Sequence, residues 1–511
     1  MPPGPRQGGT LPPIALPQGA EDERSDRDHP ARTARRVARN TAHLTVSDAA
    51  GKLLMFVFFV VAARHLGVER FGLLSFALAY VAMFAVFAEF GLGAVVAREI
   101  ARDDRAVRRL VNNALTIKLL ASALLMAAAS LSVIALRYPP RTVAVTAISS
   151  CYILVSAVAL LYHFVFQGFE KTVFAAVARV LQTVVLTVGA VMLARGTASV
   201  IGYAWLYVVA GAVGALTAWI IASGAFVRPG LGFDLSVWGS LLRRSLPIGL
   251  ASVFAMLYYW NGSALLSRMN GDAAVGLYNA PFRLVMGLGF LAQGFSGAVY
   301  PVMSRLHLSD HARLHEVFAR SFRYIAMLAV GFIVIGSCLA RPAILLLYGA
   351  DYVGSVPVMA VLVWWGGFTS LNALLSLSLY AVDRPQVVAV QAAVALVLSV
   401  GLNLLMIPRY GASGVAVAIV VAEAAGFGWL MAALSTGVFA RAWRRALRSL
   451  PRVLAAAVVA GGAGLLIARW NVLAGVSVGV AGYPLLLFGL RALVRDDAEL
   501  LRLVLSREDD H

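Results

Sequence analysis

The chain has 511 residues, of which 60% are apolar and 13% charged, with a mean hydropathy of +0.81. Soluble globular chains carry roughly 25% charged residues, so these figures exclude an ordinary water-soluble enzyme and a mostly disordered chain. The formal net charge of +18 points toward nucleic acid only until the charges are placed along the chain.

Residues 1–43 are rich in Pro, Gly and charge, with an acidic cluster (Glu21, Asp22, Glu23) before a basic one (Arg32, Arg35, Arg36, Arg39). They are expected to form a disordered cytoplasmic tail, because nothing in them can bury a core. They do not read as a signal peptide, since no apolar stretch precedes the acidic one. Fourteen apolar spans then follow in order: 44–64, 71–92, 112–136, 143–168, 173–194, 199–226, 245–268, 276–303, 320–340, 356–381, 387–407, 412–434, 453–468 and 473–493. Most match one helical crossing of a bilayer. Helix is required because lipid offers backbone groups no other partner.

Of the 43 Lys and Arg, 30 fall in the tail and alternate loops on one side and nine in loops on the other. Four lie within spans: Lys52, Lys118, Arg179 and Arg283. The positive-inside rule then puts both termini in the cytoplasm, with the chain in the cell (inner, cytoplasmic) membrane. The basic excess is a topology signal and an attraction to anionic membrane lipid; no nucleic-acid partner is expected. Cys151 and Cys338 both sit in apolar runs and form neither a disulfide framework nor a zinc spacing.

Two stretches of the chain repeat. Arg64-His65-Leu66-Gly67 followed by Gly72-Leu73 matches Arg268-Met269-Asn270-Gly271 followed by Gly276-Leu277. Arg195-Gly196-Thr197-Ala198-Ser199 matches Arg409-Tyr410-Gly411-Ala412-Ser413. The expected fold is an all-α membrane protein of about 14 transmembrane helices. Two six-helix lobes, related by a pseudo-two-fold along the membrane normal, carry two appended C-terminal helices. The expected boundaries are a first lobe at 44–226, a cytoplasmic linker at 227–244 and a second lobe at 245–434. The last two helices, with the basic loop before them, occupy 435–493, and a cytoplasmic tail occupies 494–511. Paired bundles of this kind place a substrate between the lobes and work by rocking about it.

Several motifs resemble those of Wzx-type polysaccharide flippases, within the MATE-like (MOP) flippase superfamily. They include Gly51-Lys52-Leu53-Leu54, Ala63-Arg64-His65-Leu66-Gly67-Val68-Glu69-Arg70-Phe71-Gly72, Glu89-Phe90-Gly91-Leu92 and Ala97-Arg98-Glu99-Ile100-Ala101-Arg102. In the second half they include Ser245-Leu246-Pro247-Ile248-Gly249-Leu250, Gly276-Leu277-Tyr278-Asn279-Ala280-Pro281-Phe282-Arg283-Leu284 and Asn403-Leu404-Leu405-Met406-Ile407-Pro408-Arg409. The resemblance implies a V-shaped bundle without enzymatic activity. It implies translocation of a lipid-pyrophosphate-linked oligosaccharide from the inner to the outer leaflet by alternating access, for cell-surface polysaccharide biosynthesis. Members often carry an Arg and an Asp in span 7, near Trp260, Asn261 and Gly262 of this chain, where no charge is present.

A basic side chain at the bilayer centre costs about 2.5–3.5 kcal/mol on insertion scales, so it must face water, a counter-charge or an anionic ligand. Lys52 and Arg283 are the candidate pyrophosphate ligands, weighed against internal ion pairs such as Lys52 with Asp48. Arg179 and Lys118 are expected to snorkel to the headgroups. Asp48, Glu89 and Glu423 are candidates for coupling to H+ or Na+, or plain ion-pair partners. Asn261, Gln293 and Asn372 are candidate sugar contacts, although such residues more often bond neighbouring helices. His307, His311 and His315 share a helical face if helical, yet they lack other ligands, and no metal is expected. No phosphate-binding loop is present, and no cofactor is expected. The expected cargo is a polyprenyl-pyrophosphate-linked oligosaccharide, with a polymerase and glycosyltransferases as functional partners. The alternatives are a MATE-like small-molecule or cation antiporter, a membrane glycosyltransferase or polymerase, and a non-transporting scaffold.

Overall fold

The computed structural model describes residues 30–102, 107–435, 439 and 450–490, with side chains from Ala50 onward apart from those of Leu288, Phe290 and Leu291. All regular structure among the described residues is helical. The first half comprises α1 (Pro30–Glu89), α2 (Leu92–Arg102), α3 (Val107–Ala135), α4 (Pro140–Gly168), α5 (Thr172–Leu193) and α6 (Val200–Ala225). The second comprises α7 (Leu235–Leu288), α8 (Phe290–Ser309), α9 (His311–Cys338), the short α10 (Ala340–Tyr348), α11 (Ser355–Ala381) and α12 (Pro385–Ser435). Helices α13 (Leu450–Ala468) and α14 (Val472–Gly489) close the described chain. Helical backbone begins at Pro30, inside the stretch expected to be a tail.

Eleven stretches of the described chain are long and apolar enough to cross a bilayer. Ala50–Arg102, Leu235–Ser309 and Pro385–Ser435 exceed the length of a single pass, about 20 residues. Each is broken at a glycine of positive φ: Gly67 at 72°, Gly271 at 80° and Gly411 at 53°. Only glycine takes that backbone without strain. The expected single helix over 276–303 is also interrupted, at Gly289, between α7 and α8.

The repeated motifs are structural partners. A Cβ at Gly72 would lie 1.8 Å from the carbonyl oxygen of Asp272 and 2.7 Å from the amide of Gly276. A Cβ at Gly276 would lie 2.1 Å from the Val68 carbonyl oxygen. The two halves therefore touch backbone to backbone at the motif itself. Within the first half, His65 Nε2 lies 3.1 Å from the Gly196 carbonyl oxygen, and Arg70 donates to Ala198 O at 2.9 Å. Within the second half, Gly411 sits against Asn270 in the matching place.

This end of the bundle carries a clasp that the sequence did not suggest. Arg64 of α1 donates to the carbonyls of Leu346 and Leu347, near the C-terminus of α10, where helix carbonyls lack intrahelical donors. The Tyr352 hydroxyl donates to Ala63 O at 3.0 Å, and the Tyr348 hydroxyl donates to Ala280 O at 2.9 Å. A single apolar cluster runs through this region, from Phe58, Phe59 and Phe71 of α1 through Tyr203 of α6 to Tyr278 and Phe282 of α7 and Trp365 of α11.

At the other end, the connection between halves is strapped to α3. Asn112 Oδ1 accepts from the Gly230 amide and Thr116 Oγ1 from the Gly232 amide, both at 3.0 Å. Asn113 Oδ1 accepts from the Asp234 amide at 2.8 Å and from Trp238 Nε1 at 2.9 Å. Asp234 caps α7, and the Ser236 hydroxyl and Arg109 guanidinium hold its carboxyl well below the usual carboxylate range. Residues 235–244, expected to be linker, are helical, and Val237, Trp238 and Leu241 pack into the apolar cluster of the first half. Pro247 then interrupts the hydrogen-bond ladder of α7. Helix α7 thus starts on the first half and continues into the second.

Gly72→Ala is expected to part the halves at the clasp. Amide exchange of residues 346–352, followed by mass spectrometry, should speed up several-fold or more, since about 1.4 kcal/mol gives a factor of ten. Gly224→Ala, where a Cβ meets nothing within 4 Å, should leave it unchanged.

Candidate functional site

Arg283 of α7 lies where the two halves meet. Its guanidinium carbon sits 3.6 Å from the ring centroid of Phe59 on α1 and 5.5 Å from that of Trp260 on α7. Two electron-rich faces therefore attract it, one from each half. Tyr207 of α6 and Tyr348 of α10 are near enough to interact electrostatically. Its Nε is buried and makes no hydrogen bond. Among the described residues no carboxylate forms an ion pair with it. A guanidinium fork presents several N–H donors and cannot be neutralised under ordinary conditions, so this position offers a standing positive charge to an anion.

Lys52 lies on α1, exposed, seven residues before Phe59. Seven residues make nearly two helical turns, so Lys52 and Phe59 share a face of α1, about 10 Å apart along its axis. The structure thus places both basic candidates along one edge of α1. The Asp48 side chain lies outside the described residues.

Glu89 in the first half and Glu423 in the second are carboxylates inside the bundle, and the two are answered differently. Glu89, at the end of α1, pairs through Oε2 with Lys118 of α3 and accepts from the Gly93 amide through Oε1 at 3.0 Å. Lys118 is 0% exposed, so the expected snorkelling to headgroups is wrong. A carboxylate within reach on the next element keeps the ammonium inside. Glu423 of α12 is also buried, with no cation paired to it among the described residues. Its Oε2 accepts from the Tyr258 hydroxyl and its Oε1 from Asn372 Nδ2 at 2.9 Å.

The amides proposed for sugar contact divide. Asn261 is buried and donates to Leu257 O and Tyr258 O at 3.0 and 2.9 Å, while its Oδ1 accepts from Asn403 Nδ2 at 2.7 Å. Asn372 spends its amide on Glu423, whose backbone oxygen it also reaches at 3.0 Å. Both therefore bond neighbouring helices. Gln293 on α8 is exposed. The histidines do not share one helix: Asp310 ends α8 and caps α9 between His307 and His311. Sequence reasoning missed Phe59, whose only signal was its position on the same helical face as Lys52. It gave no sign that Tyr258 is a carboxylate partner.

Comparison with known proteins bears on the whole chain. A family model described as polysaccharide biosynthesis protein matches residues 37–307, just over half of the sequence. No curated protein matches the chain. Among solved structures, the lipid II flippase MurJ in an inward closed conformation is similar with a TM-score of 0.68 and 14% identity, over 88% of this chain and 99% of that one. A multidrug resistance MATE family transporter of the MOP superfamily, inward-facing, gives 0.59 and 16%, over 76% and 95%. A MOP superfamily transporter from Pyrococcus furiosus, described as having a binding pocket of reverse polarity, gives 0.53 and 15%, over 78% and 96%. The fold is therefore that of MurJ and the MATE transporters.

The Glu89–Lys118 pair yields a stability test. Lys118→Met leaves a buried carboxylate without its cation and is expected to cost about 3–5 kcal/mol. The double variant with Glu89→Gln should recover most of that loss. Thermal unfolding in detergent checks both.

Proposed function

The chain belongs to the polysaccharide biosynthesis protein family, and we propose that it flips a polyprenyl-pyrophosphate-linked oligosaccharide from the cytoplasmic to the outer leaflet of the cell membrane. Arg283 carries this reading. Its guanidinium has no carboxylate partner among the described residues and stands between rings of the two halves. A diphosphate offers paired oxygens that a guanidinium fork binds bidentately, with a strength neutral donors do not match. Lys52, about 10 Å along the same face of α1, adds a second positive charge on the approach. An anion held at Arg283 would touch both halves at once, as cargo must if their relative motion is to carry it across.

The orientation in this reading follows from the distribution of Lys and Arg. The clasp at Gly72, Gly276 and Tyr352 then lies on the outer side, and the Asp234 strap lies on the cytoplasmic side. The described state is thus closed outward. Fourteen crossings, two lobes and two appended helices remain the organisation that this reading assumes. A glycosyltransferase making the lipid-linked saccharide would supply the cargo, and a polymerase on the outer side would consume it.

A cation antiporter on the same fold is the second reading. It would use carboxylates where the halves meet. Here the charged group at that position is a guanidinium. Glu89 and Glu423 are bonded within their own halves instead.

In liposomes containing a fluorescent lipid-pyrophosphate-linked saccharide, Arg283→Ala should lower the initial rate of translocation by at least about tenfold, as loss of a charge-assisted contact implies. Lys52→Ala should lower it less, and Arg283→Lys should restore part of it. Full activity of the Arg283→Ala/Lys52→Ala double variant would contradict the cationic grip. For orientation, Pro139→Cys in a background lacking Cys151 and Cys338 should react with an impermeant thiol reagent added outside intact cells. Arg228→Cys should not. The reverse pattern would overturn the assigned sidedness.

A further inference from the structure

The stretch that joins the two halves carries an unpartnered apolar row. Residues 227–234 are extended, and the amides of Gly230, Gly232 and Asp234 are tied to Asn112, Thr116 and Asn113 of α3. The alternate side chains are turned away from α3: Leu231 is 61% exposed, Phe233 69% and Leu235 76%. The first turns of α7 continue the row, because Leu235, Leu242 and Leu246 share one helical face and all three are exposed. On another face, Val237, Trp238 and Leu241 pack into the first half. Ser236, Ser240 and Arg243 form a third face, polar and exposed.

The charges around this row are of two kinds. Arg109 is paired with Asp234, and Arg244 with Glu99 of α2 at 3.1 Å. Arg108, Arg228 and Arg243 are exposed, and among the described residues no carboxylate forms an ion pair with them. A contiguous apolar surface rimmed by polar groups marks an interaction site. A stable protein interface buries about 800 Å² per partner around a desolvated core, and a single row of side chains is too narrow for one. The cytoplasmic leaflet needs only apolar side chains at the right depth and cations for its anionic headgroups.

We propose that residues 228–246 are an interfacial anchor, in which the apolar row from Leu231 to Leu246 enters the cytoplasmic leaflet and Arg108, Arg228 and Arg243 hold phosphates of anionic lipid headgroups. The depth agrees. Asn112 and Thr116, which hold the row, open the apolar span at 112–136, the level at which headgroups give way to acyl chains. The anchor fixes the start of α7 to the leaflet, so that motion of the second half is taken up beyond it, at Pro247, where the helix ladder is already interrupted. The proposal goes beyond the flippase reading and takes from it only the sidedness; it holds for any cargo.

The test uses full-length protein in lipid vesicles and no cargo, so it can fail without touching the flippase reading. Phe233→Cys, in a background lacking Cys151 and Cys338, carries an environment-sensitive fluorophore. The vesicles are phosphatidylcholine, with or without a third of phosphatidylglycerol. Phospholipid brominated at the top of its acyl chains should quench this label at least several-fold more than one on Ser309→Cys, in the exposed turn between α8 and α9. Acrylamide in the water should rank the two labels in reverse. Because the fluorophore is itself apolar, amide exchange of residues 227–242 in the unlabelled protein supplies a second measurement. Exchange should slow at least several-fold when phosphatidylglycerol is present, and the slowing should vanish in Arg108→Gln/Arg228→Gln/Arg243→Gln. Quenching of the Phe233→Cys label by acrylamide and not by brominated lipid would overturn the proposal and leave the row to a cytoplasmic protein. Equal exchange in the two kinds of vesicle would overturn it as well, since the arginines would then hold no anionic headgroup.

Discussion

An ionisable side chain inside an apolar bundle has to be answered by something, and the rest of this molecule is organised around three such answers. Lys118 is answered by Glu89, and the pair is closed. Glu423 is answered by hydroxyl and amide dipoles from two other helices. Arg283 is answered only by aromatic faces, one from each half. A ring worth about 0.5–2 kcal/mol offsets part of the burial of a guanidinium and leaves room for a stronger partner. The difference between a finished ion pair and an unfinished one separates a structural charge from one available to a ligand.

The second constraint is steric. The halves meet at Gly72 and Gly276 so closely that any Cβ would enter the opposite backbone. Around that contact, Arg64, Tyr348 and Tyr352 aim donors at free carbonyl oxygens. Hydrogen bonds from side chain to main chain, each worth about 1 kcal/mol net, can be broken and remade without a large barrier. At the other end, α7 begins on the first half, tied through Asp234 and Asn113, and is interrupted at Pro247 before it joins the second. The chain is thus joined covalently at one end and by a reversible clasp at the other, and Arg283 stands on the inner side of that clasp, near Tyr348.

Much of this was legible in the sequence, for reasons that are themselves physical. Apolar spans of bilayer length marked the helices, because lipid permits little else. The Gly67/Gly271 match stood out because a positive φ leaves little freedom of residue type. Arg283 stood out because a charge in such a span is costly. What could not be read depended on pairings distant in the sequence. Lys118 was assigned to the headgroups because nothing local placed Glu89, 29 residues away, beside it. Asn372 was offered to a sugar because its partner, Glu423, lies 51 residues on. Phe59 carried only its place on the helical face of Lys52, since an aromatic ring in an apolar span otherwise looks like any other. The 340–352 segment read as a loop, and its role as a clasp on α1 rests on hydrogen bonds to carbonyl groups, which have no side-chain signature.

The central claim is that the guanidinium of Arg283 is held ready for a diphosphate. The most direct measurement is equilibrium binding of a short prenyl pyrophosphate and its monophosphate to the detergent-purified protein, compared with Arg283→Gln. The account predicts that the wild type prefers the pyrophosphate and that the variant binds it at least about tenfold more weakly, a loss of about 1.4 kcal/mol or more. The preference over the monophosphate should disappear with it. Equal pyrophosphate affinity in the wild type and the variant would contradict the account.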